Sequence, residues 1–222
     1  IKAQLPFPWL CDVVRHPRLL DALEDIMGPN ILCWGASFFT KKAHDPRFIS
    51  WHTDSFVYGF EPAETVTAWL GFNDSTVESG CLKYIPGSHR SVAEHAIRPD
   101  PNNLATLGQN VIGVPEDKAV DAVLRAGQVV FHHESVVHSS TPNLSDNPRI
   151  GFSIHYVAPH VRETRFDGAT AMLLRGADEY GHWGTDPDPR HDLDPVCIEA
   201  MESTRAKFMK TTETKIASGG RS

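Results

Sequence analysis

Residues 127–159 read GQVVFHHESVVHSSTPNLSDNPRIGFSIHYVAP, and this stretch decides the fold class. Its two apolar runs, QVVFHH and RIGFSIHYVA, are separated by a segment rich in Ser, Pro, Asn and Asp, the pattern of strands joined by loops. Upstream, ILCWGASFF, FISWHTD, TVTAWLGFN and CLKYIP repeat the pattern. Many short strands with long connections predict an all-β core, a sandwich or small barrel, with helices packed outside it. Residues 17–27, PRLLDALEDIM, place Leu19, Leu20, Leu23 and Ile26 at helical spacing between a leading Pro and Gly28, which predicts a helix over about 17–28. DPVCIEAMESTRAKFMK predicts a second helix over about 194–210 with Asp194 as N-cap, and TTETKIASGGRS after it reads as a frayed tail. Pro99 to Asp121 is polar and irregular and reads as a lid or insertion. Neither a repeat nor a linker divides the chain, so the expectation is a single domain over 1–222 with its barrel core over about 31–159.

Charge narrows the partners. The chain of 222 residues has 21 Lys+Arg against 28 Asp+Glu, a net charge of −7, which argues against nucleic acid because polyanion affinity comes from Lys and Arg on phosphates. No stretch approaches the ~18 apolar residues of a membrane span. The opening IKAQLPFPWL has neither a signal peptide's apolar run nor an initiator Met, so the chain reads as soluble and cytoplasmic with its true start missing. Cys11, Cys33, Cys81 and Cys197 form no CxxC pair and read as buried reduced thiols. No large apolar face marks an oligomer interface.

The 12 histidines direct attention to metal chemistry. His52 and Asp54 stand in Trp-His-Thr-Asp at the end of a strand-like run, where side chains two apart share a face. His138 lies far downstream, and Arg149 follows it by eleven residues. Two histidines and one carboxylate on one face of an octahedral ion leave three adjacent positions open, which suits non-haem Fe(II) that must hold a cosubstrate and O2 together. Arg149 supplies the planar fork that a dicarboxylate chelated at its other end requires. Ser140, two residues after His138 on an extended run, faces the same way and can donate to that carboxylate. By the same alternation Gly151, Ser153 and His155 face inward with Arg149, and His155 becomes a candidate pocket residue.

WHTD, TAWLGFNDSTVESGCLKYIPGSHR, GQVVFHHESVVHSSTPN and NPRIGFSIHYVAP together resemble the phytanoyl-CoA dioxygenase family of Fe(II)- and 2-oxoglutarate-dependent oxygenases. The resemblance covers roughly Ile31 to Pro159 and implies a double-stranded β-helix, the jelly-roll or cupin-like fold. It implies His52, Asp54 and His138 as iron ligands and Arg149 with Ser140 on the distal carboxylate of 2-oxoglutarate. Trp69, fifteen residues after Asp54, falls at a cosubstrate-lining position of that family. The cosubstrates implied are 2-oxoglutarate and O2, and the product side is succinate and CO2. Halogenases related to the family replace the carboxylate ligand by Ala or Gly, so Asp54 points to hydroxylation of a small molecule rather than chlorination. Desaturation, epimerisation and ring formation use the same iron site and stay open. So does a non-redox metalloprotein of cupin type, an isomerase or hydrolase, against which Arg149 and Ser140 argue.

Other residues have blander readings. His132, His133 and Glu134 adjoin His138, but strand alternation places His133 opposite the other two, and His138 alone has the right offset from Arg149. Phe56, Val57 and Tyr58 follow Asp54 and are candidates for the rim above the iron, with plain loop packing the alternative; Phe56 and Tyr58 are carried as substrate contacts. His89 and Arg90 in PGSHR read as a polar turn that ends a strand, with substrate contact near a barrel mouth the alternative. Asp186, Asp188, Asp192 and Asp194 do not match a calcium loop. Pro99–Asp121 and Thr164–His191 are the segments expected to select the substrate.

Overall fold

The computed structural model describes residues 1–105 and 107–217, the side chains of 215–217 excepted. Three α-helices form among the described residues: α1 (Pro8–Val14), α2 (Pro17–Met27) and α3 (Pro195–Ala217). The strands are β1 (Ile31–Lys41), β2 (Ile49–His52), β3 (Phe60–Glu61), β4 (Val66–Gly71), β5 (Leu82–Tyr84), β6 (His95–Ile97) and β7 (Gln109–Val111). They continue with β8 (Val120–Ala122), β9 (Val129–His133), β10 (His138–Ser140), β11 (Arg149–Val157), β12 (Arg162–Glu163), β13 (Thr170–Arg175) and β14 (Gly184–Thr185). The apolar runs read from the sequence fall on β1, β2, β4, β5, β9 and β11.

The chain forms two compact units. Among the described residues the first comprises 1–37, 59–68 and 153–211, the second 38–58, 69–152 and 212–217. In the first, β13 pairs antiparallel with β1, Cys33 opposite Met172, and β14 runs parallel to β13. Each helix there begins on a proline, which fits the first turn because its missing N–H has no partner to lose. Asp194 caps α3, its Oδ1 accepting from Val196 N–H at 3.2 Å. Leu5, Cys11, Met172 and Cys197 form a buried cluster with Leu174 and Ala200 against it. Asp186, set among the acidic residues weighed for calcium, is instead buried on Lys2 at 2.5 Å. All four cysteines are free and buried.

Two expectations change. α3 does not end near Lys210 but runs to Ala217, because TTETKIA contains no Gly or Pro to stop it; residues 218–222 of the expected tail lie outside the described residues. Pro99–Asp121 is irregular only in part. It carries β7, paired with β6 with His95 opposite Val111, and the start of β8, paired with β5. Asn103 Oδ1 accepts from Ser50 N–H at 3.2 Å, which ties this segment to β2.

The second unit positions the chemistry. Its four-stranded sheet has the order β2-β10-β5-β8. Across it His138 lies opposite His52 on one side and opposite Tyr84 on the other. Three polar side chains are thereby set in a row by strand register alone, since residues directly opposite in an antiparallel pair stand within side-chain reach.

Candidate active site

His52 closes β2, and the chain then leaves the sheet. Thr53 is extended and Asp54 opens a 3-10 turn, Asp54–Phe56, sealed by Val57 and Tyr58 N–H donating to Asp54 O at 2.8 and 2.9 Å. Asp54 is therefore aimed by a turn and not by strand alternation, yet it reaches the same point. Its Oδ1 stands 3.7 Å from His52 Nε2 and 3.9 Å from His138 Nε2, and the rings of the two histidines are 4.1 Å apart. Among the described residues these three form the one group of His, Cys, Asp or Glu whose donor atoms converge closely enough for a metal, all within 4.8 Å.

Each histidine is pre-set to offer a lone pair. His52 Nδ1 is 2.8 Å from Ser50 O and His138 Nδ1 is 3.0 Å from Val136 O. A carbonyl only accepts, so Nδ1 carries the proton and Nε2 presents its lone pair to the centre. Burial pushes both imidazoles below their ordinary pKa, His138 the further. Burial pushes the Asp54 carboxyl up, but the hydrogen bond from His132 and the surrounding imidazoles more than reverse this and hold it below the usual carboxylate range. Two neutral imidazoles and one carboxylate need shed no proton to take a divalent cation.

The strand that carries His138 leads at Ser140 into a buried basic cluster. Arg149, at the start of β11, has no exposed surface. Its Nη1 donates to Gly80 O at 2.7 Å and to Ser140 Oγ at 3.4 Å, while its Nε and Nη2 have no hydrogen-bond partner among the described residues. Burial pulls the guanidinium down to about 10, so it remains charged at neutral pH. Gly80 is needed in form as well: at φ +71° a Cβ would sit 2.2 Å from Thr141 O. Trp69 on β4 is 3% exposed and lies under Arg149, its ring centroid 5.2 Å from Cζ, so it is at once core residue and wall of this cluster.

Gly151 makes that stacking possible. A Cβ there would fall 1.9 Å from Trp69 Cζ2. Gly151→Ala is expected to force Trp69 off its seat at a cost of about 1–3 kcal/mol. A thermal melt should show a fall of about 2–12 °C; an unchanged melting temperature refutes the packing argument.

Sequence reasoning missed Lys41. It ends β1 with no exposed surface, donating to Ser140 Oγ and Thr141 O and, at 3.3 Å, to Ser140 O. Burial and the neighbouring Arg149 push its amine down to about 7. Ser140 thus has the Lys41 amine on one side and the Arg149 guanidinium on the other. In FFTKK this lysine looks like any strand-end lysine, and the alternation of β1 was the available signal.

The remaining candidates separate. Phe56 is stacked on His95, centroids 4.3 Å apart, and Tyr58 is half-buried beyond the same turn. His155 belongs to the first unit, where Nδ1 is 3.0 Å from Thr67 Oγ1 and its ring stacks on Trp34 at 5.1 Å. His132 is buried beside Asp54, and His133, half-buried, has its ring 5.7 Å from that of His89.

Neutral imidazole nitrogens, a single carboxylate and a separate buried cation suit a ferrous ion chelated by a dicarboxylate, and on a β-rich frame with flanking helices they define the jelly-roll oxygenases that use non-haem iron with 2-oxoglutarate. Residues 8–151 match the phytanoyl-CoA dioxygenase (PhyH) family model, and the chain belongs to that family. A phytanoyl-CoA dioxygenase domain-containing protein 1 homolog of Dictyostelium discoideum is 35% identical over 112 residues, 48% of this chain and 39% of the relative. The chain thus spans less than half the length of that relative. Among solved structures, the apo form of the non-heme monooxygenase ThoJ superposes with a TM-score of 0.86 at 28% identity, covering 98% of this chain and 80% of that one. The epimerase SnoN in complex with Fe3+, alpha ketoglutarate and nogalamycin RO gives 0.63 at 26% identity, covering 83% and 75%. No helix among the described residues is long and apolar enough to cross a membrane.

Proposed function

We propose that this chain carries the catalytic core of an Fe(II)- and 2-oxoglutarate-dependent dioxygenase that hydroxylates a C–H bond of a small molecule. His52, Asp54 and His138 hold the iron; Arg149, Ser140 and Lys41 hold the distal carboxylate of 2-oxoglutarate, with Trp69 as the wall beneath. Bound there, the iron and its cosubstrate supply oxidation of an unactivated C–H bond: substrate, 2-oxoglutarate and O2 are converted to hydroxylated product, succinate and CO2.

The carrying observation is Arg149. A guanidinium without exposed surface and with two nitrogen groups lacking partners among the described residues is costly unless an anion completes it. A non-redox metal site of the cupin type has no use for that anchor. The protein's own work is positional: His52 and His138 offer fixed lone pairs, Asp54 stays ionised, and the basic cluster fixes one end of the cosubstrate while the buried setting keeps water out. Phe56 and Tyr58, on the turn that follows Asp54, are the proposed substrate contacts. The SnoN likeness keeps epimerisation as a second outcome of the same site. Four buried free thiols support a reducing compartment such as the cytoplasm.

The test needs no substrate. Metal-free protein titrated anaerobically with Fe(II) and then 2-oxoglutarate should develop the visible charge-transfer band of chelated 2-oxoglutarate. Iron uptake without that band refutes the cosubstrate assignment.

A further inference from the structure

We propose that Tyr84 and His132 form a hydrogen-bonded relay that holds the Asp54 carboxylate by Oδ2, so that Oδ1 alone faces the two metal-binding histidines. The proposal rests on the iron reading given above and extends it to residues outside the ligand set.

His132, on β9, is 9% exposed. Its Nδ1 lies 2.9 Å from Tyr84 Oη and its Nε2 lies 3.5 Å from Asp54 Oδ2. A carboxylate only accepts, so the proton of a neutral His132 belongs on Nε2. Nδ1 is then an acceptor, and the Tyr84 hydroxyl must donate to it. For the neutral imidazole the directions follow from the acid at the end of the chain: Tyr84 O–H donates to His132 Nδ1 at 2.9 Å, and His132 Nε2–H points at Asp54 Oδ2, 3.5 Å away. Tyr84 is itself fixed by register, opposite His138 on β5, its ring 5.8 Å from that of His138. The same segment also grips the turn's backbone, Ser55 N–H donating to Glu134 O at 3.0 Å.

The consequence lies in the coordination count. Three donors from the protein leave three of six octahedral positions, two for a chelating cosubstrate and one for O2. A carboxylate binding through both oxygens would take a fourth position and close the last one. Oδ1 is the oxygen near both histidine nitrogens, and an Oδ2 engaged by His132 is withheld from the metal. His132 and Tyr84 are thus positioning residues, acting through Asp54.

The experiment compares the full chain with His132→Phe, His132→Gln and Tyr84→Phe, using Co(II) alone as probe, followed by visible absorption in competition with a chelator. Loss of an outer hydrogen-bond partner typically weakens metal binding about 10–100-fold, and His132→Phe is expected in that range with a smaller loss for Tyr84→Phe. His132→Gln, whose amide can still donate to Oδ2, should recover most of the affinity. Nitric oxide, read by electron paramagnetic resonance as a reporter of the last open position, should bind the ferrous 2-oxoglutarate complex of the parent more fully than that of His132→Phe. The relay is overturned if Tyr84→Phe and His132→Phe both bind Co(II) and nitric oxide like the parent, or if His132→Gln is as weak as His132→Phe, which would leave only ring packing. Should His132→Phe not fold, Tyr84→Phe carries the test because it keeps the ring. A parent that takes up no Co(II), or does so equally well after His138→Ala, overturns the iron reading itself.

Discussion

Asp54→Ala is expected to abolish succinate formation and to weaken divalent metal binding by more than the ~10–100-fold typical of outer-shell changes, while the protein still folds. The physical contrast is between holo and apo states. In the metal-free protein Asp54 lies 3.5 Å from His132 Nε2 and neighbours two imidazoles that burial keeps neutral; its loss strands no charge and should cost about 1–3 kcal/mol. With metal, the carboxylate supplies the only negative charge of the donor set. A parent saturated with Co(II) to about 100 times Kd should gain about 2.7 kcal/mol, or about 5–10 °C in melting temperature for a chain of this size. Asp54→Ala should melt at the same temperature with and without the ion, and His138→Ala should behave alike. A variant that keeps the metal-induced shift would remove Asp54 from the ligand set.

The legible part of this site is the part carried by short-range pattern. His52, Asp54, His138, Ser140 and Arg149 announce themselves because residue types with narrow chemical uses fall at fixed offsets on strand-like runs. The physical cause was only half legible. His52 and His138 meet through register between β2 and β10, which one strand's sequence does not encode, and Asp54 reaches them from a turn. Residues whose role depends on a distant partner stayed silent. Lys41 is buried by Ser140 and Thr141, about a hundred positions away, and Gly151 matters because Trp69 occupies the space of its Cβ. His132 was visible but weighed only as a ligand; its contact with Tyr84 gives it a different use. Helix α1 was missed because seven residues, PWLCDVV, are too few to display a helical period.

Arg149→Ala should leave metal affinity intact and raise the 2-oxoglutarate concentration needed for the charge-transfer band by roughly 30- to 1000-fold. That range corresponds to about 2–4 kcal/mol, the loss of charge-assisted hydrogen bonds in a buried setting. Arg149→Lys restores charge without the planar fork and should recover only part of it. The same change should do little harm to the ligand-free protein. There the guanidinium lacks partners at Nε and Nη2 among the described residues and lies near Lys41, so deleting it removes an unfavourable buried cation, although the bond to Gly80 O and the contact with Trp69 go with it. Thermal melts of parent and variant should therefore lie close together without ligand and diverge when Fe(II) and 2-oxoglutarate are added, because only the parent binds the cosubstrate tightly enough to be stabilised. A variant that melts far below the parent without ligand would mark Arg149 as a structural residue, and one that keeps its 2-oxoglutarate affinity would move the anchor elsewhere. The divergence on ligand addition separates a cation retained for an anion from one retained for the fold.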